Sequence, residues 1–69
     1  MDALELKRKL VHLIEHWIEH NESHVAEYEK WAQQAQAAGL TKGAECIKAA
    51  ALVIKEAKHK LQEALDALG

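Results

Sequence analysis

The sequence predicts an all-α protein in which an antiparallel helical hairpin pairs with a second copy to form a four-helix bundle. Three observations predict this fold: the chain has no proline, its three glycines stand at positions 39, 43 and 69, and apolar residues recur every seven positions in both halves. Proline and glycine interrupt helices, whereas a seven-residue apolar repeat draws one stripe along a helix. We therefore expect a single domain over residues 1–69, with only its middle and its end interrupted.

The first helix should span about residues 2–38, and the turn should occupy residues 39–41. Gly39 can adopt the left-handed backbone conformation that ends many helices, and Leu40 is the apolar residue expected to fold back on the last turn. Thr41 is the expected N-cap of the second helix, because its hydroxyl can accept a hydrogen bond from a free N–H of the first turn. The second helix should then span about residues 42–68.

The apolar stripes of the two helices differ in width. The second helix has one column of large residues and one of alanines: Ile47, Ile54, Leu61 and Leu68, with Ala50, Ala57 and Ala64. The first helix has four such columns, which is more than one narrow, alanine-lined helix can cover. A chain this short also buries only about 60% of its unfolded surface. The uncovered edge, which carries Trp17 and Trp31, predicts a homodimer.

Composition excludes several classes of partner and activity. Nine basic and eleven acidic residues are interspersed along the chain, a pattern without the basic patch that nucleic acid or an anionic membrane requires. The sequence has no apolar run of signal-peptide or membrane-span length, and its only cysteine, Cys46, fits a reducing compartment, so we expect a cytoplasmic protein. Cys46 itself should be a small buried apolar residue. The sequence has no nucleophile motif, phosphate-binding loop or cofactor motif, so we do not expect an enzyme.

Histidine is the outlier in the composition. Four of the five histidines recur at every fourth position, from His12 through His16 and His20 to His24. At 3.6 residues per turn this row drifts by about 40° per step, so it winds around the helix. The row begins on the polar face and enters the apolar stripe at His24. Asn21 lies in the core column beside it, which predicts a polar layer in the middle of the bundle.

These residue types at this spacing predict a transition-metal site. Imidazoles one helical turn apart can bind one ion from a single helix, as His20 and His24 could. Glu27 lies one turn further on, whereas His16 and Glu19 lie one turn back, and all three are candidates for the remaining ligands. The expected metal is zinc, nickel, cobalt or iron.

Two alternatives stand beside the metal site. A buried Asn in a helical bundle often only fixes the register, and a histidine beside tryptophans can be a hydrogen-bonded core residue, so the chain could be a self-associating scaffold. Glu56 and His59 match the E-x-x-H pattern of di-iron carboxylate bundles, but this pair should face solvent. The H-x-x-E-H pattern of inverted zinc peptidases also occurs, at 12–16 and 16–20, although a peptidase needs a cleft that two helices cannot house.

Residues 16–24, with the sequence HWIEHNESH, are followed by YEKWA at residues 28–32. This third of the chain resembles a small uncharacterised prokaryotic helical family with an H-W-x-E-H-N-x-x-H core and a downstream aromatic-x-x-W-A. The resemblance implies no particular activity. It marks as positions of interest His16, Glu19, His20, Asn21 and His24.

Overall fold

The computed structural model describes all 69 residues as two long antiparallel helices. Helix α1 spans Ala3–Ala37 and helix α2 spans Thr41–Leu68, and together they form a rod of 54 × 14 × 14 Å. The predicted helical hairpin is therefore confirmed. Neither helix has an apolar stretch of the length needed to cross a membrane.

The turn between the helices is set by Gly39, whose φ is +82°. Its N–H donates to the carbonyl oxygen of Gln36 at 3.1 Å, and the N–H of Leu40 donates to that of Ala35 at 2.9 Å. These two bonds form the Schellman motif, in which a left-handed residue lets the chain satisfy the last free carbonyls of a helix. A side chain at position 39 would strain this backbone, which explains why the turn falls there.

Helix α2 begins one residue earlier than the sequence indicates. Leu40, not Thr41, is its N-cap, and no side chain hydrogen-bonds the free N–H groups of the first turn. The carbonyl oxygen of Leu40 accepts the bond from the N–H of Ala44 at 2.9 Å. Because the Schellman motif already holds Leu40, the chain enters α2 at once and Thr41 becomes its first helical residue. The prediction that Thr41 caps α2 is therefore wrong.

The core is a single row of small and branched residues between the helices. Only four of the 69 residues are buried, namely Ile14, Ala32, Ala44 and Ala51. Three of these are alanines, which let the helices approach closely. Larger apolar residues on both sides of the row, such as Ile18, are only half-buried. The hairpin thus buries little within one chain.

Candidate metal site

One side of the helix pair is joined by charged side chains. Lys55 Nζ lies 2.7 Å from Glu29 Oε1, and Lys58 Nζ lies 2.9 Å from Glu22 Oε1. Each pair joins α2 to α1, so this chain's own charges close this edge of the interface. We call this side, with these four residues, the ion-pair face.

The other side is apolar and open, and we call it the tryptophan face. Its defining residues on α1 are spaced three, four or seven positions apart, and two residues of α2 adjoin them: Leu6, Leu13, Trp17, His20, His24 and Trp31, with Cys46 and Ala50. Trp17 and Trp31 are 43% and 52% exposed. Trp31 also lines a shallow apolar groove between the helices, with Tyr28, Cys46, Ile47 and Ala50. Large aromatic surface therefore stays in water in a single chain.

His20 and His24 meet in the middle of the tryptophan face. Their Nε2 atoms are 2.8 Å apart, and their rings lie edge to face with centroids 4.4 Å apart. At this separation, one Nε2 carries a hydrogen and donates it to the lone pair of the other. The same two nitrogens could instead direct both lone pairs at one ion after a small rotation of the rings.

The histidine row continues on both sides of this pair. The ring centroid of His16 is 6.2 Å from that of His20, and the ring centroid of Tyr28 is 6.0 Å from that of His24. His24 is half-buried, whereas His16 and His20 are exposed. This order agrees with the predicted winding of the row toward the apolar stripe.

The carboxylates of the predicted site lie apart from the histidine pair. Glu27 Oε1 accepts a hydrogen bond of 2.9 Å from Trp31 Nε1, one turn further along α1. Glu19 is exposed, and its backbone carbonyl accepts a bond of 3.3 Å from Ser23 Oγ. Within the chain, no group of three or more His, Cys, Asp or Glu side chains is arranged to hold a metal ion. The structure thus brings together two of the five predicted ligands.

Residues 10–68 match the model of a protein family described as a domain of unknown function, DUF8180. The match takes in the histidine row, the turn and all of α2. The chain belongs to this family. Comparison with curated proteins and with solved structures finds no match to this chain.

The sequence places two other residues of the DUF8180 match, Asn21 and Cys46, in or beside the core. Asn21 is half-buried, as its core column predicts, but it lines a groove on the ion-pair face with Glu22 and His59. Cys46 is exposed, so the prediction of a buried thiol is wrong. The physical reason is that Ile47, the next residue, takes the position facing α1, which leaves the thiol at the edge of the groove.

Sequence reasoning missed the interaction of Glu27 with Trp31 and both ion pairs between the helices. The first had a usable signal, since a carboxylate and an indole N–H four residues apart lie on neighbouring turns of one helix. The ion pairs needed the relative register of α1 and α2, which depends on the geometry of the turn.

Proposed function

We propose that this member of the DUF8180 family is a metal-binding module, a homodimeric four-helix bundle that holds a divalent transition metal through His20 and His24. The observation that carries the proposal is the 2.8 Å separation of the two Nε2 atoms on an exposed apolar face. Zinc, nickel, cobalt and iron are the candidate ions, since all accept imidazole ligands. His16 is the nearest further nitrogen ligand, and Glu19 and Glu27 are the carboxylates within one helical turn.

The exposed area of the hairpin supports a homodimer. A folded monomer of this mass exposes about 4,300 Å² by the usual scaling of surface with mass, whereas this chain exposes 5241 Å². The excess of roughly 900 Å² is close to the ~800 Å² that each partner contributes to a standard protein interface. At the edge of the tryptophan face, Lys30 Nζ lies 5.3 Å from the centroid of the Trp31 ring and Glu27 accepts the hydrogen bond from Trp31 Nε1, so the two charges there are opposite and a second copy can approach without net charge repulsion.

Burial in such a dimer would remove water from the histidine pair, so every ring nitrogen would need a partner. The hydrogen bond between the two Nε2 atoms satisfies one donor and one acceptor, but a buried imidazole has a second ring nitrogen that also needs a partner. An ion between the Nε2 atoms would accept both lone pairs, and each Nδ1–H would be left free to donate elsewhere. We expect the module to work in the cytoplasm, where an exposed thiol such as Cys46 stays reduced.

The test is thermal unfolding of untagged protein with and without Zn²⁺ or Ni²⁺. An ion that binds only the folded state at a hundred times its dissociation constant adds about 2.7 kcal/mol of stability and so raises the melting temperature. His20→Ala and His24→Ala should abolish this rise. His12→Ala and His59→Ala are the matched controls and should retain it, because both residues are exposed and lie outside the pair.

Calorimetric titration supplies the contradicting result. If untagged protein binds neither ion more tightly than about 100 μM, which corresponds to roughly 5.5 kcal/mol, the metal proposal fails. Equal losses of binding in His59→Ala and His24→Ala would instead favour the di-iron-like arrangement that includes Glu56 and His59 of α2.

A second candidate function is a non-catalytic self-associating scaffold in which the histidine pair is only structural. The observation that favours it is that 2.8 Å is the ordinary length of a hydrogen bond between two imidazole nitrogens. On this reading, a metal chelator leaves both the dimer and its melting temperature unchanged, whereas His24→Ala weakens the dimer. The same melting experiment therefore separates the two functions.

A further inference from the structure

We propose that a second copy of the chain completes the metal site, so that one ion is held by four imidazoles on the two-fold axis of the dimer. Each copy would supply His20 and His24. This inference rests on the proposed function, and it deepens that proposal by naming the ligand set, the stoichiometry and the preferred class of ion.

A metal ion at this site needs more ligands than a single chain supplies. Zinc and similar ions take four ligands in structural sites. One chain offers two converging nitrogens, and no third His, Cys, Asp or Glu side chain joins them. Glu27 is held by Trp31, whose Nε1 it accepts at 2.9 Å. The half-site of a single chain therefore lacks two ligands, which a symmetric partner would supply in identical form.

The residues of the tryptophan face are arranged on both sides of the pair formed by His20 and His24. In a two-fold dimer with antiparallel α1 helices, residues equidistant from the axis face one another. An axis at the level of residue 22 sets His20 opposite His24 of the partner subunit. The same register sets Leu13 opposite the partner's Trp31. Leu13 and Trp31 are both exposed apolar residues in a single chain, so one register joins both the imidazoles and this apolar pair, and it sets Trp17 opposite the partner's Glu27.

The ligand set also determines which ions the site prefers. A site of four imidazoles and no carboxylate favours Co²⁺, Ni²⁺, Cu²⁺ and Zn²⁺ over Mn²⁺ and Fe²⁺, because affinity for nitrogen ligands rises along that series. Tetrahedral ligands with metal–nitrogen bonds of about 2.0–2.1 Å lie about 3.3 Å apart. The two Nε2 atoms, now 2.8 Å apart, would have to separate by about half an ångström. Rotation of two rings that border solvent can supply this change.

Native mass spectrometry of the full chain with Zn²⁺ measures the stoichiometry directly and needs no variant. We expect one Zn²⁺ for two chains, and much weaker loading with Mn²⁺. One Zn²⁺ for each chain would overturn the inference but leave the proposed function intact. Failure to bind either Zn²⁺ or Ni²⁺ would overturn both.

A mixing experiment tests whether both copies supply ligands. Excess His20→Ala/His24→Ala protein is added to zinc-loaded wild-type protein beside a chromogenic chelator. Exchange of subunits should place wild-type chains in mixed dimers with only two imidazoles. Loss of a supporting outer residue already weakens metal sites by 10–100-fold, so loss of two direct ligands should weaken this one by more than about 100-fold and release the zinc.

The matched control is the His12→Ala/His59→Ala double variant, which retains His20 and His24 and should release no zinc on mixing. Isotope-labelled wild-type chains report whether subunits exchange. Retention of zinc by dimers that have exchanged with the His20→Ala/His24→Ala chains would overturn the four-imidazole site. If that variant does not fold, the wild-type stoichiometry still decides the question.

Discussion

The ion-pair face and the tryptophan face complete the same two-helix interface in opposite ways. On the ion-pair face, Lys55 and Lys58 reach across from α2 to carboxylates of α1. On the tryptophan face, Lys30 Nζ lies over the Trp31 ring at 5.3 Å from its centroid, yet Trp17 and Trp31 each remain about half exposed. One face is thus completed within the chain, whereas the other presents the kind of surface that marks an interaction site.

The two faces therefore differ in what they contribute to stability. Exposed ion pairs contribute little to stability, typically up to about 1 kcal/mol each, but they keep an edge soluble and define the register of the helices. Burial of a tryptophan contributes several times more, and the single chain leaves about half of that contribution unused. Substitutions on each face test whether the two faces differ in energy as they do in composition.

The largest effect is expected from Trp31→Glu. A carboxylate buried within the dimer interface would lose its hydration without a partner, and the indole surface would be lost as well. We expect the dimer to weaken by at least about 3 kcal/mol per chain, with a shift toward unfolded monomer. Sedimentation equilibrium measures the association, and circular dichroism measures the helix content.

The control for Trp31→Glu is Leu52→Glu. Leu52 is an exposed large apolar residue too, but it lines a groove with Glu29 and Lys55 on the ion-pair face. A carboxylate there should leave association unchanged. The distinction between the faces is lost if the two variants weaken the dimer equally, and the homodimer itself is excluded if wild-type protein sediments as a folded monomer at micromolar concentration.

The hairpin could be predicted because its determinants are local. The absence of proline, the seven-residue apolar repeat and Gly39 define two helices and one turn without reference to tertiary contacts. The meeting of His20 with His24 could also be predicted, since residues four apart on a helix are neighbours. Both features depend on a few consecutive turns of backbone.

The remaining details depend on choices that local spacing leaves open. Glu27 lies within one turn of both His24 and Trp31, and spacing alone does not decide which of them it contacts. Cys46 and Ile47 are adjacent, so a modest rotation of α2 decides which of the two faces α1. The start of α2 depends on how closely the Schellman turn passes into the next helix, which placed Leu40 rather than Thr41 at the N-cap.

A smaller effect is expected from Ala32→Leu, which tests the closely packed row that both faces share. Ala32 is fully buried between the helices, so a larger side chain must push them apart. Such overpacking costs about 1–3 kcal/mol, and leucine and alanine are both good helix formers, so the loss would come from packing. Urea unfolding measures it. Ala26→Leu, at an exposed position of α1, is the control and should change the free energy of unfolding little.

The smallest effect is expected from the ion-pair face, in a double-mutant cycle of Glu22→Gln and Lys58→Met. The two side chains are 53% and 39% exposed, so water and salt screen their attraction. We expect a coupling free energy of about 0.2–1 kcal/mol that declines as salt is added. The Lys60 and Glu63 pair, 3.5 Å apart and more exposed, is the reference and should couple still less. Urea unfolding of metal-free protein at low and high salt measures both. A coupling free energy for Glu22 and Lys58 above about 1.5 kcal/mol that does not change with salt would contradict this expectation. The ion-pair face would then stabilise the hairpin as strongly as apolar packing does. The two faces would differ in composition but not in energy.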